Sequence, residues 1–224
     1  MKLLTPLLLT VLILQVSCQK DEDNKQTVTD IDGNVYHTVT IGTQVWMVEN
    51  LKTTKYRNGD LIGTTTPASL NIIDESTPKY QWAYDSNEIN VATYGRLYTW
   101  YAVTDSRKVC PVGWHEPSDA DWTELTDYLG GEGVAGGKLK ETGTTHWDSP
   151  NTGATNETGF SALPGGYRTF YGSFDLIGLY GYWWSAAEYD AALAWDRDIY
   201  YDNAYVDRDS YGKEIGGSVR CVRD

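Results

Sequence analysis

The chain has 224 residues, 22% of them charged and 41% hydrophobic, and a formal net charge of −13. That composition is globular, and the length suffices for one large domain with its own core. So acidic a chain is ill suited to nucleic acid or to an anionic membrane surface, since both need clustered Lys and Arg. Three cysteines leave one that cannot pair within the chain.

Met1-Lys2 makes a short positive start, and Leu3 to Leu14 is an apolar run broken only by Thr5, Pro6 and Thr10. This is a secretory h-region, too short for a transmembrane helix. The Gln15-Val16-Ser17-Cys18 stretch that follows resembles the bacterial lipobox, with Gln15 where that motif usually carries Leu. The resemblance implies a signal peptide over 1–17 and acyl chains on Cys18, and several chains on one residue hold a protein stably on a membrane. Gln19-Lys20-Asp21-Glu22-Asp23-Asn24 lacks any apolar residue and reads as a solvated tether, 18–26. It also resembles the acidic surface-export signal of Bacteroidetes lipoproteins. The expected location is the outer membrane, lipid-anchored and exposed at the cell surface.

Removal of 1–17 takes away Lys2 and no carboxylate, so the charge becomes −14. Cys110 and Cys221 then remain as an even pair in an oxidising compartment, where a disulfide is expected. It would close a loop of about 110 residues, worth roughly 4–5 kcal/mol in the chain-entropy picture. A metal site has little support: there is no C-x-x-C, and His37, His115 and His146 stand singly.

From 27 to about 51 the chain reads as strands and tight turns. Asp32-Gly33 between β-rich runs signals a hairpin, and Gly42-Thr43 breaks the next run. Residues 63–79, rich in Thr, Pro and Ser, read as a loop. Two helices are predicted. Arg96 to Val103 would place Leu97, Trp100 and Tyr101 on one face. The second is capped by Ser118 with Asp121 three residues on, carries Trp122, Leu125 and Leu129 as its apolar stripe, and ends at Gly130-Gly131. From 143 onward, dense Gly, Tyr and Trp read as irregular loops and short strands.

Several motifs carry a family resemblance. They include Asp32-Gly33-Asn34-Val35-Tyr36, Trp46-Met47-Val48-Glu49-Asn50-Leu51 and Tyr94-Gly95-Arg96-Leu97-Tyr98-Thr99-Trp100. Cys110-Pro111-Val112-Gly113-Trp114-His115 follows, then Pro117-Ser118-Asp119-Ala120-Asp121-Trp122. The C-terminal half adds Gly159-Phe160-Ser161-Ala162-Leu163-Pro164-Gly165-Gly166-Tyr167-Arg168, Tyr182-Trp183-Trp184-Ser185 and Ser218-Val219-Arg220-Cys221-Val222-Arg223. In this order they resemble the Fibrobacter succinogenes major paralogous domain, over about 27–224. More distantly that family resembles the C-type-lectin-like fold and the formylglycine-generating enzymes. The resemblance implies an α+β, C-type-lectin-like single domain of small twisted antiparallel sheets, two main helices and long aromatic- and Gly-rich loops. It implies no established activity.

Catalytic constellations are missing. Formylglycine-generating enzymes hold copper with two nearby cysteines close to the C-terminus, and here only Cys221 lies there. Gly159-Phe160-Ser161-Ala162-Leu163 fails the G-x-S-x-G pattern at its last position. No cofactor is called for. Tyr201-Asp202-Asn203 with Asp207 and Asp209 offers oxygen atoms, but reads as a solvated turn and strand edge rather than a calcium site.

Aromatics point to recognition instead. Tyr and Trp give rigid amphipathic area, and their faces stack on sugar rings. Trp183 and Trp184 are expected in the core, as are Trp114 and Trp122. Candidate ligand-binding residues are Tyr171, Tyr180, Tyr182, Tyr201, Asp202, Asn203 and Tyr205, with Tyr200 also partly exposed. Arg96, Arg168 and Arg220 are expected to pair with carboxylates. The expected function is a non-enzymatic binding or adhesion module for a glycan or a surface protein. The alternatives are an altered formylglycine-generating-type enzyme and a structural envelope protein without a soluble ligand.

Overall fold

In the computed structural model, residues 26–224 are described. The expected signal peptide, Cys18 and all but the last residue of the expected tether lie outside the described residues.

The Asp32-Gly33 hairpin forms as its sequence dictates. Strand β1 (Thr27–Thr29) pairs antiparallel with β2 (Val35–Ile41). The Asp30 carboxylate accepts the N–H groups of Asp32 and Asn34 at 2.9 Å and the Tyr36 hydroxyl at 2.6 Å, which ties the turn to the core. Gly42, at φ +60°, and Thr43 turn the chain into β3 (Gln44–Met47). A long excursion follows, with β4 (Gln81–Trp82), α1 (Ile89–Tyr94), β5 (Leu97–Tyr98), α2 (Trp100–Val103) and β6 (Trp114–His115). Then come α3 (Asp119–Tyr128), α4 (Glu132–Leu139), the hairpin of β7 (Tyr167–Arg168) and β8 (Phe174–Asp175), the long strands β9 (Tyr180–Glu188), β10 (Leu193–Tyr200) and β11 (Val206–Gly212), and β12 (Val222–Arg223).

The result is a mixed α/β domain of several small antiparallel sheets and four helices. One sheet has the order β1-β2-β3-β12-β6, so the chain's last strand sits between β3 and β6. A second, β11-β10-β9, is a meander, and β4-β5 and β7-β8 are two-stranded.

α3 matches its sequence signal. The Ser118 hydroxyl accepts the Asp121 N–H, and the Asp121 carboxylate accepts the Ser118 N–H at 2.8 Å. Its Trp122 packs 4.8 Å from Trp46 and 6.2 Å from Phe160, centroid to centroid. Trp114, Trp183 and Trp184 are buried, as expected.

Three expectations need correction. Arg96–Val103 is not one helix. Leu97 and Tyr98 pair with Trp82 and Gln81, and Tyr98 exchanges backbone hydrogen bonds with Gly217, so those peptides are spent on sheet and only Trp100–Val103 is helical. Among the described residues there are four helices, where two were expected. α4 was hidden by Gly133, Gly136 and Gly137, which are poor helix formers. It needs two of them for contact: a Cβ on Gly136 would stand 2.0 Å from the Tyr205 carbonyl oxygen, and one on Gly137 2.4 Å from that of Gly153. Finally, the C-terminal half holds the two longest strands among the described residues, of nine and eight residues, and a third of seven.

Cys110 and Cys221 form a disulfide, both fully buried, with Cα atoms 5.9 Å apart. It fastens the loop before β6 to the residue before β12, so it holds neighbouring strands of the first sheet.

Candidate ligand-binding face

Side chains alternate across a strand, and the β9–β11 register decides which of them meet. Asp198 lies opposite Tyr182 on one side and Asp207 on the other; Asp196 lies between Trp184 and Asp209; Tyr200 pairs with Tyr180, and Tyr211 with Ala194. One face therefore gathers Tyr180, Tyr182, Tyr200 and Tyr211 around four aspartates. Tyr180 and Tyr200 meet edge to face at 4.7 Å, Tyr182 and Tyr211 at 5.6 Å, and Tyr167 of β7 leans on Tyr182 at 5.0 Å.

The face is graded from wet to dry. Asp209 is exposed; Tyr167, Tyr180, Tyr200, Tyr211 and Asp207 are half-buried; Tyr182, Asp196 and Asp198 are buried. Asp198 Oδ2 accepts the hydroxyls of Tyr211 at 3.2 Å and Tyr200 at 3.3 Å. Burial pushes the Tyr182, Tyr200 and Tyr211 phenols well above their usual range, and the Asp198 charge adds to this, so all three remain hydroxyl donors. Burial also raises Asp207, and it raises Asp196 and Asp198 well above ordinary carboxylates.

The opposite face is structural. Arg197, between the two aspartates, points into α3 and donates to Asp119 Oδ1 at 2.9 Å. Arg208 donates to both Asp119 oxygens and stacks on Trp195.

The sequence candidates divide between sites. Tyr180 and Tyr182 belong to the face, Tyr182 as its floor at 6% exposure. Tyr201, Asp202, Asn203 and Tyr205 form the β10–β11 turn beside it. Lys140 braces that turn: its buried ammonium donates to the carbonyls of Thr152, Tyr200 and Asn203, and burial lowers it to about 8. Tyr205 is exposed, and Tyr201 packs on the core. Asn203 Oδ1 accepts the Tyr205 N–H at 2.8 Å, an Asx turn, and Asp207 and Asp209 lie on the strand rather than with Asp202. Tyr171 is exposed in the β7–β8 turn, against Phe170 at 4.3 Å.

Sequence reasoning passed over Asp196, Asp198 and Tyr211. A period-two run of Tyr and Asp from 196 to 211 was the available signal.

Arg96 does pair with a carboxylate, Glu88. Arg168 and Arg220 do not. Arg168 donates to the carbonyls of Ala68, Leu70 and Thr169, and Arg220 to Asn50 Oδ1 and the Phe160 carbonyl.

Two adjoining hollows, of about 250 and 490 Å³, share Thr54, Glu88 and Arg96, but there the Arg96 guanidinium is already occupied by Glu88, Gln81 and the Lys52 carbonyl. Among the described residues, no three His, Cys, Asp or Glu side chains converge to hold a metal ion, and no helix is long and apolar enough to cross a membrane.

No curated protein and no solved structure matches the chain. One family does: the Fibrobacter succinogenes major domain matches residues 39–223, from the middle of β2 to the end of β12 and across the whole tyrosine face. The chain belongs to the Fibrobacter succinogenes major domain family.

Proposed function

We propose that this chain is a non-enzymatic binding module with a C-type-lectin-like fold, anchored to the outer membrane by lipid on Cys18 and displayed at the cell surface. Its ligand is a glycan or another surface protein. The observation that carries this reading is the face of Tyr180, Tyr200 and Tyr211 above Asp196 and Asp198. Half-buried rings offer stacking area, and phenol and carboxylate oxygens offer hydrogen bonds to hydroxyl-rich or amide-rich ligands.

Charge narrows the ligand further. The face carries Asp207 and Asp209 at its outer strand, and no Lys or Arg projects from it. Neutral or basic ligands suit it and acidic polysaccharides do not. The Cys110–Cys221 bond also supports a binding role over the copper-dependent alternative, because it takes both thiols out of metal ligation.

A glycan array and a pull-down with surface proteins, each run with the wild type and a Tyr200→Ala variant, test the reading. A ligand retained by the wild type and lost by the variant is the expected result. Binding equal in both, or none in either experiment, counts against it. Labelled fatty acid should enter the wild type and not Cys18→Ser, and protease added to intact cells should degrade the protein.

A further inference from the structure

Asp196 and Asp198 stand two residues apart on β10, on the tyrosine side, at 2% and 0% exposure. Neither carboxylate oxygen of Asp196 has a hydrogen-bond partner, and neither has Oδ1 of Asp198. Two residues apart on one strand, the two side chains share a face, and each leaves a buried oxygen without a partner. Two ionised carboxylates cannot both persist so close in a dry site.

Among the described residues no cation pairs with either carboxyl, and the Arg197 charge only partly offsets the burial of Asp196. β9 presents Tyr180, Tyr182 and Trp184; β11 presents Asp207, Asp209 and Tyr211; β10 adds Tyr200. Tyr167 packs over Tyr182, with Asp175 beside it. Arg197 is the nearest cation in sequence, but it lies across the sheet on Asp119 and returns only to the Asp196 backbone carbonyl. Arg208 is held by Asp119, and Lys213 by Glu188 and the carbonyls of Asp190 and Ala191.

We propose that Asp196 and Asp198 hold one proton between them, the Asp196 hydroxyl donating to the Asp198 carboxylate, and that this proton governs the order of the tyrosine face. With the proton in place, Asp198 accepts from Asp196, Tyr200 and Tyr211 together, and those donors fix the two rings. When the proton leaves to solvent, two like charges face each other beneath the rings, and Asp209 adds a third. The β10–β11 edge then loosens. Burial is the largest cause that raises both groups, and the neighbouring carboxylate charges add to it. A group that binds its proton more tightly folded than unfolded stabilises the fold at low pH, and that stability is lost as pH rises through its folded value. The face is therefore best ordered in mildly acidic surroundings and slackens as pH climbs. Its meaning as regulation rests on the binding role proposed above; the proton itself does not.

The test needs no ligand. Carboxyl carbon shifts of Asp residues in the full chain should show one group protonated well above the ordinary carboxylate range. The unfolding constant should rise by up to about tenfold per pH unit between about pH 5 and about pH 7. In Asp196→Asn the amide donates to Asp198 in place of the hydroxyl, so that dependence should vanish while the fold is kept. Asp198→Asn is the second variant, and should flatten the profile as well. Slopes equal to wild type in both variants, or only ordinary carboxyl titrations in the wild type, would overturn the shared proton. An empty glycan screen would leave this result standing, and loss of the shared proton would leave a positive screen standing.

Discussion

Asn50 and Arg220, 170 residues apart, are joined by two hydrogen bonds from the guanidinium to a single carboxamide oxygen, at 3.1 and 2.8 Å. The same oxygen accepts the Trp183 indole N–H at 2.9 Å. On its other side Asn50 donates to the Tyr94 carbonyl at 2.9 Å. Arg220 is wholly enclosed and stacks on Phe160, and burial lowers it to about 9. No carboxylate shares these bonds, so a neutral amide is the centre that carries a buried cation. Asn50→Ala leaves two of the guanidinium's nitrogens and the indole without their acceptor, with only the Phe160 carbonyl still serving Arg220. It should destabilise the protein by about 3 kcal/mol, read as the shift in a urea unfolding curve. A loss under about 0.5 kcal/mol would show that water replaces the amide.

That centre was not legible in the sequence. Trp183 reads correctly as core, and the capped α3, the Asp32-Gly33 turn and the cysteine pair each carry a local signal that the fold obeys. Asn50 and Arg220 carry none, because their partners are reached only after β3, β9 and β12 converge. The same holds for Arg168, which besides the neighbouring Thr169 carbonyl finds its acceptors in the loop carbonyls of Ala68 and Leu70, about 100 residues away in sequence. Alternate aspartates at 196 and 198 read as the solvent side of a strand. Both are buried all the same, and the Tyr200 and Tyr211 hydroxyls reach Asp198 through a register that composition does not reveal.

The Cys110–Cys221 bond spans 111 residues and is fully buried. Replacing both cysteines with Ala should lower stability by about 4–5 kcal/mol, chiefly by freeing the unfolded chain. Thermal unfolding of the oxidised wild type, of the reduced wild type and of the double variant separates loop entropy from side-chain packing. If reduction leaves the midpoint unchanged, the bridge contributes nothing to the fold.

Gly136 is required by contact rather than by φ. A Cβ there would stand 2.0 Å from the Tyr205 carbonyl oxygen and 2.9 Å from that of Ala204. Gly136→Ala should push the β10–β11 turn off α4. Hydrogen exchange should then quicken at the Gly137 amide, which donates to the Ala204 carbonyl, and at the Thr152 amide, which donates to that of Tyr201. Unchanged protection at both amides would show that the helix yields instead of the turn.

Asp32 should give the protein an acid-side stability loss opposite in sign to that of the buried pair. Burial alone would raise this carboxyl, but the Lys55 ammonium at 2.9 Å, the Thr54 N–H and the Thr53 and Thr54 hydroxyls outweigh it and lower it to about 2. A depressed carboxyl stabilises the fold above its unfolded value of about 4 and loses that contribution as pH falls toward 2. Asp32→Asn should flatten the wild-type decline between about pH 4 and about pH 2 and lower stability at neutral pH. Parallel profiles in the two proteins would assign the decline to other groups.

The tyrosine face and the Tyr201–Tyr205 turn are adjacent but separable as binding surfaces. Tyr200 and Tyr180 brace each other at 4.7 Å, and the Tyr200 hydroxyl is tied to Asp198, so both rings are held in place before any ligand arrives. Tyr205 is 51% exposed, and of the turn's side chains only the Asn203 carboxamide reaches its backbone. Pre-ordered aromatics lose less freedom on binding than exposed ones. A ligand seated on the sheet should therefore lose about tenfold or more in affinity with Tyr200→Ala or Tyr180→Ala, and little with Tyr205→Ala or Tyr171→Ala. Isothermal titration with whichever glycan or protein the screens return measures all four variants. The reverse ranking would move the site to the turns and leave the sheet as scaffold. In that case the turn would owe its shape to Lys140, and Lys140→Met should abolish binding while the disulfide and the first sheet stay intact.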